Sequence, residues 1–339
     1  MERDETLADP DWAVTLFSFT TELVAGTPPE EVLDTVVTEA GIRRVEIDGF
    51  QHFAGLPRVT DAEAAAFREQ TDRLGISLTE LGIYADTGLR SDRLLTQDET
   101  VSYLADQVDS AAKLGFPAVK IMFGVDPAIL EGLRPHLERT GIPIYQEVQG
   151  PIRIDSPELD RQREFAASRG PELFGFVFDL SACMPALPVT YLEALRRLSV
   201  PEEAVRILDE EWAADRTGSV RRRVGELTAA AGLPHSVQPM LAMPFLRFGS
   251  SSVKEFRDFL PEVSIVHLKF WDLDDADGRV STPIADLRAE LGALGFSGPV
   301  TTEWGGHEYL DPGRYTALDM TRQHRELYDR SVPFLEAAS

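Results

Sequence analysis

Residues 96–119, TQDETVSYLADQVDSAAKLGFPAV, contain a complete helix and the start of the strand that follows it. Thr96 stands three residues before Glu99, which is the spacing of a capping box at the start of a helix. Gly115 can take the left-handed conformation that ends a helix, and a β-rich run follows it. The stretch therefore predicts a helix between Thr96 and Gly115 and then a strand.

Signals of the same kind recur along the chain. Further Thr-x-x-Glu stretches predict helix starts at Thr27 and Thr60, and further glycines lead into β-rich runs at Gly41, Gly75, Gly141, Gly170 and Gly295. Eight strand candidates begin near residues 13, 44, 76, 118, 142, 174, 263 and 299. Eight alternating units predict an α/β fold with a single (β/α)₈ TIM barrel. An open doubly wound sheet is the alternative, but no glycine-rich phosphate loop follows the first strand.

One interval, between the sixth and seventh strands, is much longer than the others. We expect one barrel domain over residues 1–339, with a long helical insertion at about 183–251. Helices are predicted near 188–197, 201–213 and 217–232, with a returning helix near 253–260. Long loops at the C-terminal mouth of a barrel commonly carry function, so this segment could be a lid or a partner surface. The alternative is a helical decoration that only stabilises the rim.

Composition and charge exclude several classes of protein. The 339 residues are 43% hydrophobic and 27% charged, which fits a soluble globular protein. A formal charge of −24 opposes binding to nucleic acid and to anionic membranes. We expect no membrane span, since no apolar run approaches the required length of about 20 residues. One cysteine and an N-terminus without signal-peptide features predict a cytoplasmic location.

Four chemically active residues come directly after apolar β segments on the last four predicted strands. They are Glu147, Asp179, His267 and Glu303. Because the C-terminal ends of barrel strands meet around one point, these side chains are predicted to converge. Three carboxylates at one point repel one another unless a cation lies between them. The sequence predicts a divalent metal, with Mn²⁺ favoured by the oxygen-rich ligand set and Mg²⁺, Co²⁺ or Zn²⁺ as alternatives. Taken singly, each carboxylate could be a loop cap and the histidine a core residue.

The motifs around these residues resemble those of a known superfamily. They are Gln146-Glu147, Phe178-Asp179, Val266-His267-Leu-Lys269 and Thr302-Glu303-Trp304. Their order along almost the whole chain is similar to that of the xylose-isomerase-like barrels, the sugar phosphate isomerases and epimerases. The resemblance implies that the four residues bind a divalent ion, usually Mn²⁺, and that the two glutamates flank the substrate carbon that loses a proton.

Two further stretches carry a narrower resemblance. Glu303-Trp-Gly-Gly-His307-Glu-Tyr and Met320-Thr-Arg-Gln-His324-Arg-Glu-Leu-Tyr resemble the α subunits of bacterial C-glycoside deglycosidases. Members of that family are metal-dependent heteromers that cleave the carbon–carbon bond between a 3-oxo sugar and an aromatic aglycone. The resemblance implies a smaller β subunit as partner in a hetero-oligomer and a small-molecule C-glycoside as substrate.

Other residues near the strand ends are candidates for catalysis or substrate binding. Lys269 should share the inward face of His267, and Gln149 that of Glu147, because alternate residues of a strand face the same side. His307 could act as a general acid or base with a pKa near neutrality, together with Glu147, Glu303 and Lys269. We also predict substrate contacts by Gln149, Trp271, Trp304 and His52. Each histidine or tryptophan could instead be structural.

Two reactions branch from loss of a proton next to a ketone. Expulsion of the group on the adjacent anomeric carbon is a β-elimination, and the narrower resemblance favours this carbon–carbon lyase reaction. Return of the proton to another face or carbon would make the protein a sugar or keto-inositol isomerase, epimerase or dehydratase. A non-catalytic sugar-binding barrel is a third possibility.

Overall fold

Eight parallel strands close into a barrel in chain order, as predicted. The structure is a computed structural model that describes residues 12–311 and 313–331. The strands are β1 (Trp12–Thr15), β2 (Arg44–Asp48), β3 (Ser77–Ile83), β4 (Val119–Met122), β5 (Ile144–Val148), β6 (Phe174–Asp179), β7 (Val263–Phe270) and β8 (Val300–Trp304). Each begins within two residues of its predicted start, and β8 pairs with β1 to close the barrel.

Helices connect the strands on the outside of the barrel. They are α1 (Thr20–Val24), α2 (Pro29–Ala40), α3 (Gly49–His52), α4 (Asp61–Leu74), α5 (Gln97–Leu114), α6 (Pro127–Thr140), α7 (Pro157–Arg169), α8 (Val189–Arg197), α9 (Glu202–Glu211), α10 (Ser219–Ala230), α11 (Gln238–Ala242), α12 (Ser281–Leu294) and α13 (Ala317–Arg330). None of these described helices is long and apolar enough to cross a membrane.

The helix-start signals were correct at two of three positions. Thr96 and Glu99 form the predicted capping box at the start of α5, and Thr60 accepts a hydrogen bond from the backbone N–H of Glu63 at the start of α4. A helix also begins after Thr27, but the capping role predicted for Thr27 is wrong, because α2 begins at Pro29 and its cap residue is Pro28. A proline suits the first turn of a helix, since it has no N–H to leave unpaired there.

The connection between β6 and β7 packs around a hydrophobic cluster separate from the main barrel core. Its buried members include Tyr191, Trp212, Phe248 and, from the barrel itself, Trp271. Helices α8, α9 and α10 confirm the three helices predicted in this range. The returning helix predicted near 253–260 is wrong, because the chain forms only short 3₁₀ turns there. The assignment of 183–251 as an insertion in a single domain stays a prediction.

Gly249 fixes the end of this connection to the mouth of the barrel. Its N–H donates to the carbonyl of Ser181 at 2.8 Å, and its carbonyl accepts from the N–H of Met184 at 2.8 Å. A Cβ at Gly249 would lie 2.0 Å from the carbonyl oxygen of Gly150 and 2.8 Å from that of Ala182. Only a residue without a side chain allows the backbones to approach this closely.

We expect Gly249→Ala to lower the free energy of unfolding by about 1–3 kcal/mol, because the β5 and β6 loops must separate to admit the methyl group. Gly225→Ala in α10 is the matched control, since no atom lies within 4 Å of its Cβ position. That change should be neutral or stabilising by up to about 1 kcal/mol. Urea unfolding of both variants measures the difference. Equal stability of the two variants would contradict the close backbone approach at Gly249.

Candidate metal and substrate site

The structure brings the four strand-end residues of the prediction together. Glu147, Asp179, His267 and Glu303 each offer one ligand atom, and these atoms all lie within 4.8 Å of one another. All four residues are buried. Strand pairing explains part of this convergence, because Asp179 is the register partner of His267 and Lys269 that of Glu303. Inward side chains at paired positions are necessarily neighbours.

His267 lies at the centre of the group and contacts carboxylates on both sides of its ring. Its Nδ1 lies 3.0 Å from Glu147 Oε1 and 2.8 Å from Glu303 Oε2. Its Nε2 lies 3.0 Å from Glu46 Oε2 and 3.2 Å from Glu80 Oε1. Burial lowers the pKa of this imidazole, but the surrounding carboxylates, Glu46 first, raise it well above its usual value. Without a metal the ring is therefore protonated.

Sequence reasoning missed Glu46, Glu80 and Lys120. Each is an inward residue within a strand rather than at the end of one, on β2, β3 and β4. A signal was present, because each is a charged residue directly before an apolar one in a buried strand: Glu46-Ile47, Glu80-Leu81 and Lys120-Ile121. A charge in the middle of a barrel strand must face a partner or a ligand across the interior.

Two lysines partly balance these acids. Lys120 Nζ lies 2.8 Å from Glu46 Oε1 and 3.2 Å from Glu147 Oε2. Burial raises the pKa of Glu147, but the charge of Lys120 and the contact with His267 together outweigh it and lower this pKa to about 2. Lys269 donates to Glu303 Oε1. Burial raises the pKa of Glu303, but the charge of Lys269 and the contact with His267 together hold it well below its usual value.

Among the three carboxylates predicted as ligands, Asp179 is the one without a lysine contact in the described residues. Its Oδ1 accepts the backbone N–H of Ser181 at 2.8 Å. Its Oδ2 is buried and has no hydrogen-bond partner among the described residues. Burial, followed by the charge of Glu303, raises the pKa of Asp179 to about 7. An unpartnered carboxylate oxygen beside two ionised glutamates and an imidazole is a donor set that fits a divalent cation.

A second set, Glu46, Glu80 and His267, also has ligand atoms within reach of one ion. However, Lys120 already pairs with Oε1 of Glu46. A neutral imidazole also has only one lone pair to offer, so His267 can bind a metal at only one of the two sets. We therefore interpret Glu46 and Glu80 as acceptors for the Nε2–H of His267. Such a contact orients a ligand histidine and leaves Nδ1 for a metal.

Glu46, Glu147 and Glu303 line a cavity of about 270 Å³ at the mouth of the barrel, whereas Asp179 and His267 are buried and do not line it. Gln149 and Lys269, both predicted site residues, line this cavity. Gln149 Nε2 lies 3.4 Å from Glu147 Oε2, so the amide can reach both the carboxylate and a ligand. Arg247, from the β6–β7 connection, completes the rim and pairs with Glu308.

His307 lies beside the site, but its environment differs from the expected one. Its ring packs edge-on against Phe17 with centroids 4.8 Å apart. Burial lowers its pKa to about 4, whereas the sequence suggested a value near neutrality. The ring is therefore neutral at pH 7, and its Nδ1 has no hydrogen-bond partner among the described residues.

The structure does not place Trp271, Trp304 or His52 on the surface of this cavity. Both tryptophans are buried, with Trp271 Nε1 donating to Glu308 at 3.0 Å and Trp304 Nε1 to the carbonyl of Trp271 at 3.1 Å. His52 packs against Phe53 and Phe67. These rings support the wall of the site, so the geometry does not favour the substrate contacts predicted for them.

Removing the positive charge of Lys120 should destabilise the acid group. We expect Lys120→Met to lower the free energy of unfolding by about 3 kcal/mol, because it leaves buried carboxylates without their cation. In Lys120→Met/Glu46→Gln the loss should be clearly smaller than the sum of the two single losses. The measurement is urea unfolding at pH 7 with a chelator present.

The control pair is Arg206 and Glu210, which are exposed on α9 and form an ion pair at 2.5 Å. The same substitutions there should change stability by about 0.5 kcal/mol or less. Strictly additive losses at Lys120 and Glu46 would show that the two side chains do not stabilise each other.

Characterised relatives share this chain's length. A C-glycoside deglycosidase alpha subunit from Microbacterium trichothecenolyticum is 30% identical over 314 residues, which cover 88% of this chain and 84% of that protein. Another from Arthrobacter globiformis is 30% identical over 322 residues, covering 91% and 88%. A 3'-dehydrocarminate deglycosidase alpha subunit from Microbacterium is 29% identical over 314 residues, covering 88% and 89%. No protein-family model matches the chain.

Solved structures share the fold at low sequence identity. A sugar phosphate isomerase/epimerase from Parabacteroides distasonis matches with a TM-score of 0.53 and 12% identity over 98% of both chains. The IOLI protein, solved with a zinc atom, matches with a TM-score of 0.51 and 13% identity over 95% of this chain and 97% of that one. These likenesses show the same (β/α)₈ barrel fold.

Proposed function

We propose that this chain, which belongs to the family of C-glycoside deglycosidase alpha subunits, is the metal-dependent subunit of a carbon–carbon lyase. Its substrate would be a 3-oxo-C-glycoside, and its reaction the β-elimination of the aglycone. The observation that carries the proposal is the convergence of three carboxylates and an imidazole within 4.8 Å. Two of its members, Glu147 and Glu303, line a cavity large enough for a sugar ring.

Glu147, Asp179, His267 and Glu303 would hold the cation. Their oxygen-rich donor set favours Mn²⁺, with Mg²⁺, Co²⁺ or Zn²⁺ as alternatives. When bound, the cation supplies Lewis acidity that makes the hydrogen next to a ketone more acidic. Since His267 is protonated without the cation, binding must release a proton, and affinity should rise with pH.

The carboxylates of Glu147 and Glu303 both lie within 3.0 Å of His267 Nδ1, and one of them would take a proton from a sugar carbon. In the proposed reaction, the proton leaves C2, between the C3 ketone and the C1 carbon that carries the aglycone. The electron pair forms the C1–C2 double bond as the bond from C1 to the aryl carbon breaks. The aryl carbon then takes up a proton, so the step needs neither an oxidant nor a reductant.

Lys269 is our candidate for the proton donor. Burial lowers its pKa, but the charges of Glu303 and Glu308 raise it above the usual value, so Nζ keeps its proton. This ammonium lies in the cavity wall, 4.9 Å from the ring centroid of Phe17. His307 is the second candidate, and as a neutral ring it could instead accept a proton.

The partner follows from the family. The relatives are named alpha subunits, so we propose a hetero-oligomer with a smaller β subunit. A sugar or keto-inositol isomerase, epimerase or dehydratase is the second candidate function. The presence of two acids, Glu147 and Glu303, at one point favours it, because one acid could remove a proton and the other return it.

Loss of a predicted ligand should reduce metal binding without unfolding the barrel. In Glu147→Gln, Asp179→Asn and His267→Ala we expect Mn²⁺ affinity at least tenfold weaker than in the unmodified protein. Elemental analysis and Mn²⁺ titration by electron paramagnetic resonance measure binding, and circular dichroism measures folding. Asp272→Asn is the control, because Asp272 is also buried after β7 but accepts hydrogen bonds from Thr190. Unchanged affinity in all three variants would contradict the metal site.

The lyase reaction is tested with the metal-loaded protein and its β partner. A 3-oxo-C-glucoside should release free aglycone, chelation should abolish the release, and Glu147→Gln or Glu303→Gln should slow it by a factor of about 10³ or more. Intact aglycone linkage beside rapid epimerisation of free ketoses by the isolated chain would support the second candidate function instead.

A further inference from the structure

A second and larger cavity adjoins the acid-lined one at the mouth of the barrel. It has a volume of about 850 Å³, against about 270 Å³ for the acid-lined cavity. Phe17, Asp48, Tyr84 and Met122 line both, so the two cavities share a boundary. We call the larger one the apolar cavity. Its volume is in the range of about 300–1,000 Å³ that small-molecule sites typically have.

The walls of the apolar cavity are rich in apolar and aromatic side chains. These include Phe50, Leu89, Tyr103, Phe123 and Ile129. Phe50 and Leu89 are 44% and 51% exposed, and Met122 at the boundary is 43% exposed. Large apolar side chains that stay open to water beside a reactive cavity commonly mark a binding surface.

The boundary between the cavities is fixed in place. The hydroxyl of Tyr84 donates to Asp48, and its ring packs against Phe50 with centroids 5.9 Å apart. Gln107 holds the backbone of Tyr84 on both sides, accepting its N–H at 3.1 Å and donating to its carbonyl at 3.0 Å. Because these polar groups pair with one another, the Tyr84 and Phe50 rings remain available as an apolar platform.

We propose that the apolar cavity binds the aromatic aglycone of the C-glycoside. The inference rests on the proposed function, since it requires a sugar in the acid-lined cavity. A sugar ring there would place its scissile bond near the rim, so a planar aglycone must project out of that cavity. On the Arg247 side the ion pair with Glu308 is supported by Trp271, whose Nε1 donates to Glu308. The boundary shared with the apolar cavity lies on the Tyr84 side.

Substitutions in the apolar cavity should therefore affect substrates according to the size of their aglycone. In the complex with the β partner, we expect Phe50→Ala and Leu89→Ser to raise KM for a three-ring flavone 3-oxo-C-glucoside about three- to tenfold. The KM for a single-phenyl substrate should change less, and kcat should stay within about twofold. Leu94→Ser is the matched control, since Leu94 is 67% exposed and lies outside this cavity.

Two readouts separate failure of the subsite from failure of the proposed function. Exchange of the C2 hydrogen of free 3-oxo-glucose into deuterated water needs the acids but no aglycone, and it should be unchanged in both variants. A free flavone should bind to the unmodified complex, as followed by fluorescence. It should bind more weakly to both variants, even if no lyase activity is found. Unaltered flavone binding and KM would overturn the subsite. Loss of β-subunit binding in native mass spectrometry would overturn it too, by identifying the surface as a subunit interface.

Discussion

The contact of one imidazole with four carboxylates governs the interior of this barrel. Nδ1 of His267 lies within 3.2 Å of carboxylate oxygens of Glu147 and Glu303, and its Nε2 lies within 3.2 Å of those of Glu46 and Glu80. Ionised side chains are costly to bury unless they are paired and hydrogen-bonded. The strands that carry these residues must therefore hold a register that keeps the acids around the ring, which links the fold directly to the chemistry.

Charge balance then explains why the group is suited to a divalent cation. Around His267 the described residues place five carboxylates, Asp179 included, against Lys120, Lys269 and at most one imidazolium, which leaves two negative charges in excess. A divalent cation would supply two positive charges and displace the proton of His267. One negative charge would then remain in excess. Burial and the charge of Glu46 raise the pKa of Glu80, so that carboxyl is suited to carry the last proton.

The barrel and the strand-end acids could be predicted from the sequence because both depend on short-range patterns. Capping threonines, terminal glycines and apolar runs define the units, and two-residue alternation places Glu147 and Glu303 inside. Positions set by packing between distant segments were less predictable. His307, Trp271 and Trp304 follow strand ends in sequence, but their burial depends on Phe17 from the start of the chain and on the β6–β7 connection. Glu46 and Glu80 were missed because only strand ends were considered.

The same β6–β7 connection also contributes to the lining at the mouth of the barrel. Its hydrophobic cluster packs Phe248 and Trp271 together on one side, and Gly249 ties it to the loops after β5 and β6. Arg247, two residues earlier, is thereby held in the lining of the acid-lined cavity. An acid-lined cavity beside an apolar one favours ligands with a polar end and a flat apolar end. An aryl C-glycoside has this form, whereas a free sugar would leave the apolar half of the mouth in contact with water.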